Sequence, residues 1–306
     1  MYLEHFKLSR NPFPSTPQLD FFFSGGGRTA AINAIDYALQ ENFGIVKIIG
    51  QTGVGKTMLC RQAYRELSEK YDILFLSDPS LDSTHSILAA VASELNPEWD
   101  LSRPKNKLFQ QVMQTLIKQK ETGKPTILFI EEAQKLTTEQ FEELRYLTNL
   151  ETSQDKLLQI ILFGQPELDS RLMQADAQLL SSRLTHSIYL KPLSRKDFVD
   201  YLHHRLAIAG ILKPEVFIPT ALVNCIFFLS QGSLRQANQI LEKTLFAAYL
   251  RKADKPNFFD IAAAVRSMSR KGAEVKYTRK QLASVFSIGL FFGWVAFTAT
   301  APAVLH

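Results

Sequence analysis

One octapeptide constrains this chain more than any other feature. Gly50-Gln51-Thr52-Gly53-Val54-Gly55-Lys56-Thr57 fits G-x-x-x-x-G-K-[ST] at every fixed position. It follows the apolar run Ile45–Ile49 and leads into an amphipathic run opening at Met58. Strand, loop and helix in that order are the setting in which such a loop cradles phosphate. Glycines let backbone N–H groups turn inward around anionic oxygens, and the helix N-terminus adds partial positive charge. Residues 50–58 are therefore the expected contacts to a nucleotide. Lys56 is expected to reach the β- and γ-phosphates of ATP, and the Thr57 hydroxyl to ligate Mg²⁺.

The rest of the pattern suits a sheet built around that loop. Short apolar runs recur at Ile45–Ile49, Asp72–Ser77, Ile127–Ile130, Gln159–Phe163 and Ser187–Leu190. Longer amphipathic runs separate them, among them Thr57–Lys70, Lys105–Glu121 and Thr138–Leu150. The last begins with the capping-box spacing Thr137…Gln140. Such alternation predicts an α/β fold, a parallel sheet sandwiched by helices. Beyond Pro192 the strand signal stops. Ser194–Gly210, Pro219–Ser230, Ser233–Arg251 and Asn257–Met268 read as helices of a second, all-α domain.

A second motif closes the third apolar run: Thr126-Ile127-Leu128-Phe129-Ile130-Glu131-Glu132. A buried strand ending in two carboxylates suits nucleotide hydrolysis. Glu131 is expected to hold Mg²⁺, and Glu132 to orient and deprotonate the attacking water.

Charge is unevenly placed. The chain of 306 residues has 35 Lys and Arg against 30 Asp and Glu. Six of those bases (Arg266, Arg270, Lys271, Lys276, Arg279, Lys280) and one acid (Glu274) lie from residue 266 on, leaving 29 of each before it. A neutral body argues against nucleic acid as the partner. After the bases, Ala283–Leu305 runs 23 residues without a charge. That is long enough to cross the roughly 30 Å of bilayer hydrocarbon, and basic flanks stay cytoplasmic. The N-terminus lacks the apolar stretch of a signal peptide. The expectation is a single-pass inner-membrane protein with a cytoplasmic N-terminal body. Its segments read as 1–30 N-terminal, 31–192 ATPase core, 193–265 lid, 266–282 basic linker and 283–305 membrane helix. Gly289 and Gly293 have the spacing of a helix-pairing motif. Cys60 and Cys225 are too few for a disulfide framework or a four-cysteine zinc site. His203 and His204 are adjacent on a helix and point about 100° apart, so they form no joint metal site. Phe21-Phe22-Phe23 and Gly25-Gly26-Gly27 read as core and turn, with an adenine border as the alternative.

The motifs together resemble an AAA+ ATPase of the general secretion pathway protein A (ExeA) family. The likeness extends to Met1-Tyr2-Leu3-Glu4-His5-Phe6-Lys7-Leu8, Asn11-Pro12-Phe13, Thr16-Pro17, Glu131-Glu132-Ala133-Gln134 and Phe163-Gly164-Gln165-Pro166-Glu167-Leu168. Within the family it is most similar to the ATPases of MSHA-type (type IV) pilus biogenesis. The resemblance implies that Gln165 senses the γ-phosphate and that Arg183 is an arginine finger acting on a neighbouring subunit. It also implies that Arg235 is the lid's second sensor. Partners implied are further copies of the chain and pilus or type II secretion components. The periplasmic peptidoglycan-binding part of ExeA is not carried over to a chain ending at His306.

Two positions depart from that family's pattern. Glu131 stands where Asp is usual, and Leu234 replaces the proline of Gly-x-Pro-Arg. Two other functions fit similar cores: a nucleic-acid-dependent ATPase regulator of the transposition type, and a nucleotide-gated scaffold with little hydrolysis.

Overall fold

The computed structural model describes residues 2–80, 86–152, 156–173 and 184–270. They fall into two compact units. One is Ser24–Lys191. The other combines the chain's start, up to Phe23, with the residues from Pro192 on.

The first unit holds five parallel strands: β1 Ile45–Ile49, β2 Asp72–Leu76, β3 Thr126–Ile130, β4 Leu158–Gly164 and β5 Leu184–Tyr189. Their order is β2-β3-β4-β1-β5. Every residue of β3 and β4 is buried, as expected for inner strands covered on both faces. Alternation assigns their side chains to two layers. Leu128 and Ile130 join a cluster with helices Ile87–Leu95, Lys105–Glu121 and Thr138–Leu147. Phe129 faces the other way, its ring 5.5 Å from that of Phe163. Helix Lys56–Leu67 packs on β4, and helix Arg28–Gln40 on β5. The parallel α/β fold expected from the pattern is thus present.

Two helices end earlier than their apolar periodicity suggests. The first stops at Leu67 and not Lys70, the second at Leu147 and not Leu150. At both ends a hydroxyl turns back on the carbonyl three residues before it, Ser68 on Arg65 at 3.1 Å and Thr148 on Arg145 at 2.7 Å. Such local bonds compete with helix propagation. The capping box at Thr137 and Gln140 forms as its spacing predicts, with both reciprocal bonds made.

The second unit is helical: Arg195–Ile208, Pro214–Phe217, Thr220–Ser230, Leu234–Leu250 and Phe258–Arg270. The residues up to Phe23 are part of it. Phe6, Leu8 and Phe13 are buried in the same cluster as Phe198, Leu202, Leu241 and Ile261. The Ser9 amide donates to Ala209 O at 2.8 Å, and buried Arg205 donates to Pro12 O at 2.7 Å. The same guanidinium lies 4.7 Å over the Phe21 ring, which makes Phe21 core. His203 and His204 each bond a different backbone carbonyl, Ile218 O and Phe22 O. Both cysteines are buried and free. Burial pushes the Cys225 thiol up to about 11 and raises Cys60 as well, so neither is poised as a thiolate.

Ala283–Leu305, with Gly289 and Gly293, lies outside the described residues. Among the described residues no helix is long and apolar enough to cross a membrane.

Candidate nucleotide site

The site forms at the C-terminal ends of β1, β3 and β4. Open parallel sheets bind ligands at that edge. β1 delivers the chain to Gly50, whose N–H donates to Gly164 O at 3.1 Å. A Cβ on Gly50 would sit 3.0 Å from Leu190 O and 3.3 Å from Leu190 Cβ. A side chain there would press on the segment following β5, which would have to give by a few tenths of an ångström. Gly55 then adopts φ 104°, left-handed backbone that a side chain rarely takes, as it caps helix Lys56–Leu67. The loop therefore curls back over the helix N-terminus, as the octapeptide predicts.

Lys56 folds inward. Its Nζ donates to Gly50 O at 2.7 Å and Gln51 O at 3.1 Å. A residue that the sequence does not single out supports the loop from behind. Arg28 is only 4% exposed. It donates to Val54 O at 2.9 Å and to Gly26 O at 2.8 Å. A buried guanidinium thus ties the tip of the phosphate loop to the triple-glycine turn before helix Arg28–Gln40. Sequence reading treats an arginine as surface by default. The only available signal was its place beside those glycines.

Glu131 follows β3 and is buried. Its amide donates to Leu76 O at 2.9 Å. Despite the extra methylene, its carboxylate accepts from the Thr57 hydroxyl. Burial is the largest influence on this carboxyl and pushes it up. The Thr57 hydroxyl and the charges of Arg61 and Lys56 act against that rise, while Glu132 adds to it. A carboxylate and a hydroxyl oxygen side by side are the hard donors that Mg²⁺ takes. The residues present therefore fit the expected ion.

Glu132 comes next, half-buried, with its Oε2 accepting from Gln134 Nε2 at 2.6 Å. Gln165 lies just beyond β4, and its Oε1 accepts from the Thr52 hydroxyl at 2.6 Å. The structure thus brings together the phosphate loop, Lys56, Thr57, Glu131, Glu132 and Gln165. Arg183 lies outside the described residues. Arg235 is exposed at the second position of helix Leu234–Leu250, in the helical unit. The Leu234 departure is benign for that helix. Proline is favoured at the first helical position because its missing N–H has no partner there anyway. Leucine keeps the start because Ser233 accepts from the Gln236 amide at 3.4 Å.

Comparison with known proteins agrees with this geometry. Residues 39–172 match the model of an AAA domain. The chain is 35% identical over 269 residues to general secretion pathway protein A of Aeromonas hydrophila. That match takes in 88% of this chain and 49% of the relative, so the chain spans about half the length of the protein it resembles. Among solved structures, Cdc6p of Pyrobaculum aerophilum superposes with a TM-score of 0.61 at 15% identity, covering 95% of this chain and 84% of that one. The Thermotoga maritima RuvB branch migration motor superposes with a TM-score of 0.55 at 19% identity, covering 85% and 74%. At such identities these two likenesses speak for the fold. Residues 39–172 match an AAA domain, and over 88% of its own length the chain resembles general secretion pathway protein A.

Proposed function

We propose that this chain binds ATP with Mg²⁺ and hydrolyses it, working at the inner membrane to assist assembly of a type IV pilus or type II secretion machine. The observation that carries the chemical part is the meeting of Thr57 with Glu131 beneath a loop closed by Lys56. In this reading Lys56 binds the phosphates, Gln165 faces the γ-phosphate and Glu132 takes the proton from the attacking water. Thr57 and Glu131 would hold Mg²⁺, which when bound would neutralise charge on the phosphate oxygens. Arg235, in the helical unit, is proposed as the second sensor. The biological part leans on the relative's name and on the apolar stretch Ala283–Leu305.

The membrane reading has a direct test. Cutting the chain before Ala283 should release a soluble protein that keeps its ATPase activity, because every proposed nucleotide residue lies upstream. The same cut should abolish pilus or secretion function in the cell, since tethering sets local concentration at the machine. A reporter fused after His306 should be active only in the periplasm. Full-length protein that fractionates as soluble without detergent refutes the anchor, and hydrolysis stimulated by DNA would then favour the nucleic-acid alternative.

Hydrolysis is proposed to need a second copy of the chain, with Arg183 reaching the neighbour's nucleotide. Arg183→Ala subunits should be inactive alone. Mixed with Glu132→Gln subunits they should regain part of the turnover, because some interfaces then pair an intact base with an intact arginine. Activity linear in protein concentration, with no recovery on mixing, would remove Arg183 from the reaction.

A further inference from the structure

Glu132 takes its place through uncommon backbone, φ 51° and ψ 34°, in the left-handed region that side-chain residues seldom adopt. The kink opens the short turn Ala133–Lys135, closed by the Lys135 amide on Glu132 O at 2.8 Å. The turn brings Gln134 back beside the residue two before it. The Gln134 amide is then used at both ends. Its Nε2 donates to Glu132 Oε2 at 2.6 Å, and its Oε1 accepts the backbone N–H of Gln165 at 3.0 Å. Gln165 in turn bonds Thr52 of the phosphate loop at 2.6 Å. The turn is pinned from outside, because Arg171 donates to the Gln134 carbonyl and lies 5.7 Å over the Phe141 ring.

We infer that Gln134 is a positioning residue for ATP hydrolysis, one side chain that fixes both the Glu132 carboxylate and the Gln165 backbone. This rests on the proposed reading of Glu132 as base and Gln165 as the γ-phosphate-facing residue. A primary amide suits the task because it carries a donor and an acceptor at one tip. It is also neutral. A lysine or arginine could hold the carboxylate equally well, but its charge would make Glu132 a weaker base. A base oriented by a third group is the general arrangement of activated catalytic sites. Because the same amide reaches Gln165, the base and the γ-phosphate contact are set together.

The test uses the full chain in detergent and measures kcat, KM and the Kd values of ATP and ADP. Gln134→Ala should lower kcat ten- to a hundredfold, with KM for ATP rising no more than its Kd does. Gln134→Glu, the same shape with no donor, should lose as much. On a Glu132→Gln background, Gln134→Ala should change residual turnover less than twofold, since the group it orients can no longer act as a base. The ATP-to-ADP affinity ratio should fall several-fold in both Gln134→Ala and Gln165→Ala, with no further fall in the double variant. Wild-type kcat in Gln134→Ala, or a full additional loss on the Glu132→Gln background, would overturn the inference. Should the wild-type chain bind ATP without turning it over, hydrolysis itself is refuted and the affinity ratio decides: a coupled fall keeps the Gln134–Gln165 link, an unchanged ratio ends it. Gln134→Met keeps the volume and replaces Gln134→Ala if that variant does not fold.

Discussion

Glu132→Gln is expected to keep ATP bound and to stop its turnover. The amide has the shape of the carboxylate and can still pair with Gln134, so the turn after β3 should stay as it is. What disappears is the capacity to accept a proton. General-base contributions run to about 10²–10⁴-fold, and kcat should fall within that range. Phosphate release and nucleotide affinity measured on one preparation separate the two effects. Turnover at the wild-type rate would show that Glu132 is not the base.

Lys56→Ala should act earlier, on binding. The ammonium serves two purposes at once. It holds the carbonyls of Gly50 and Gln51, which keeps the loop closed, and it supplies the charge expected to meet the phosphates. Hydrogen bonds to charged groups contribute about 1.5–3 kcal/mol each. Losing them at the phosphates should weaken ATP binding by roughly a hundredfold, about 3 kcal/mol. Titration with a fluorescent nucleotide reads this directly. A change under threefold would mean that Lys56 does not face phosphate.

The two predictions concern residues that were visible in the sequence, and their visibility has a physical basis. A phosphate loop is local: its glycines, lysine and threonine must occupy consecutive positions, so the spacing survives as text. Buried parallel strands are equally plain, because β3 and β4 need apolar residues on both faces and read as unbroken runs. Arg28 and Gln134 were not visible in this way. Arg28 is buried because carbonyls at Gly26 and Val54 converge on it, the second from 26 positions away. Gln134 matters because the turn at Glu132 and the end of β4 meet at its amide, and no local pattern announces that meeting. The N-terminal segment has the same character. Phe6, Leu8 and Phe13 look like scattered hydrophobic residues until helices nearly 200 positions later enclose them, with Ser9 bonded to Ala209.

That last arrangement fixes an order of events during synthesis. Residues 2–23 are made before the helical unit, yet the other buried members of the cluster around Phe6, Leu8 and Phe13 run from Leu193 to Met268. Domains generally fold as units while the chain emerges. The sheet unit, Ser24–Lys191, is complete before any of those partners exist. A stretch made before the sheet unit thus finds its place only after that unit has been made. Until then Phe6, Leu8 and Phe13 lack the helices that bury them, which makes this stretch a natural handle for a chaperone.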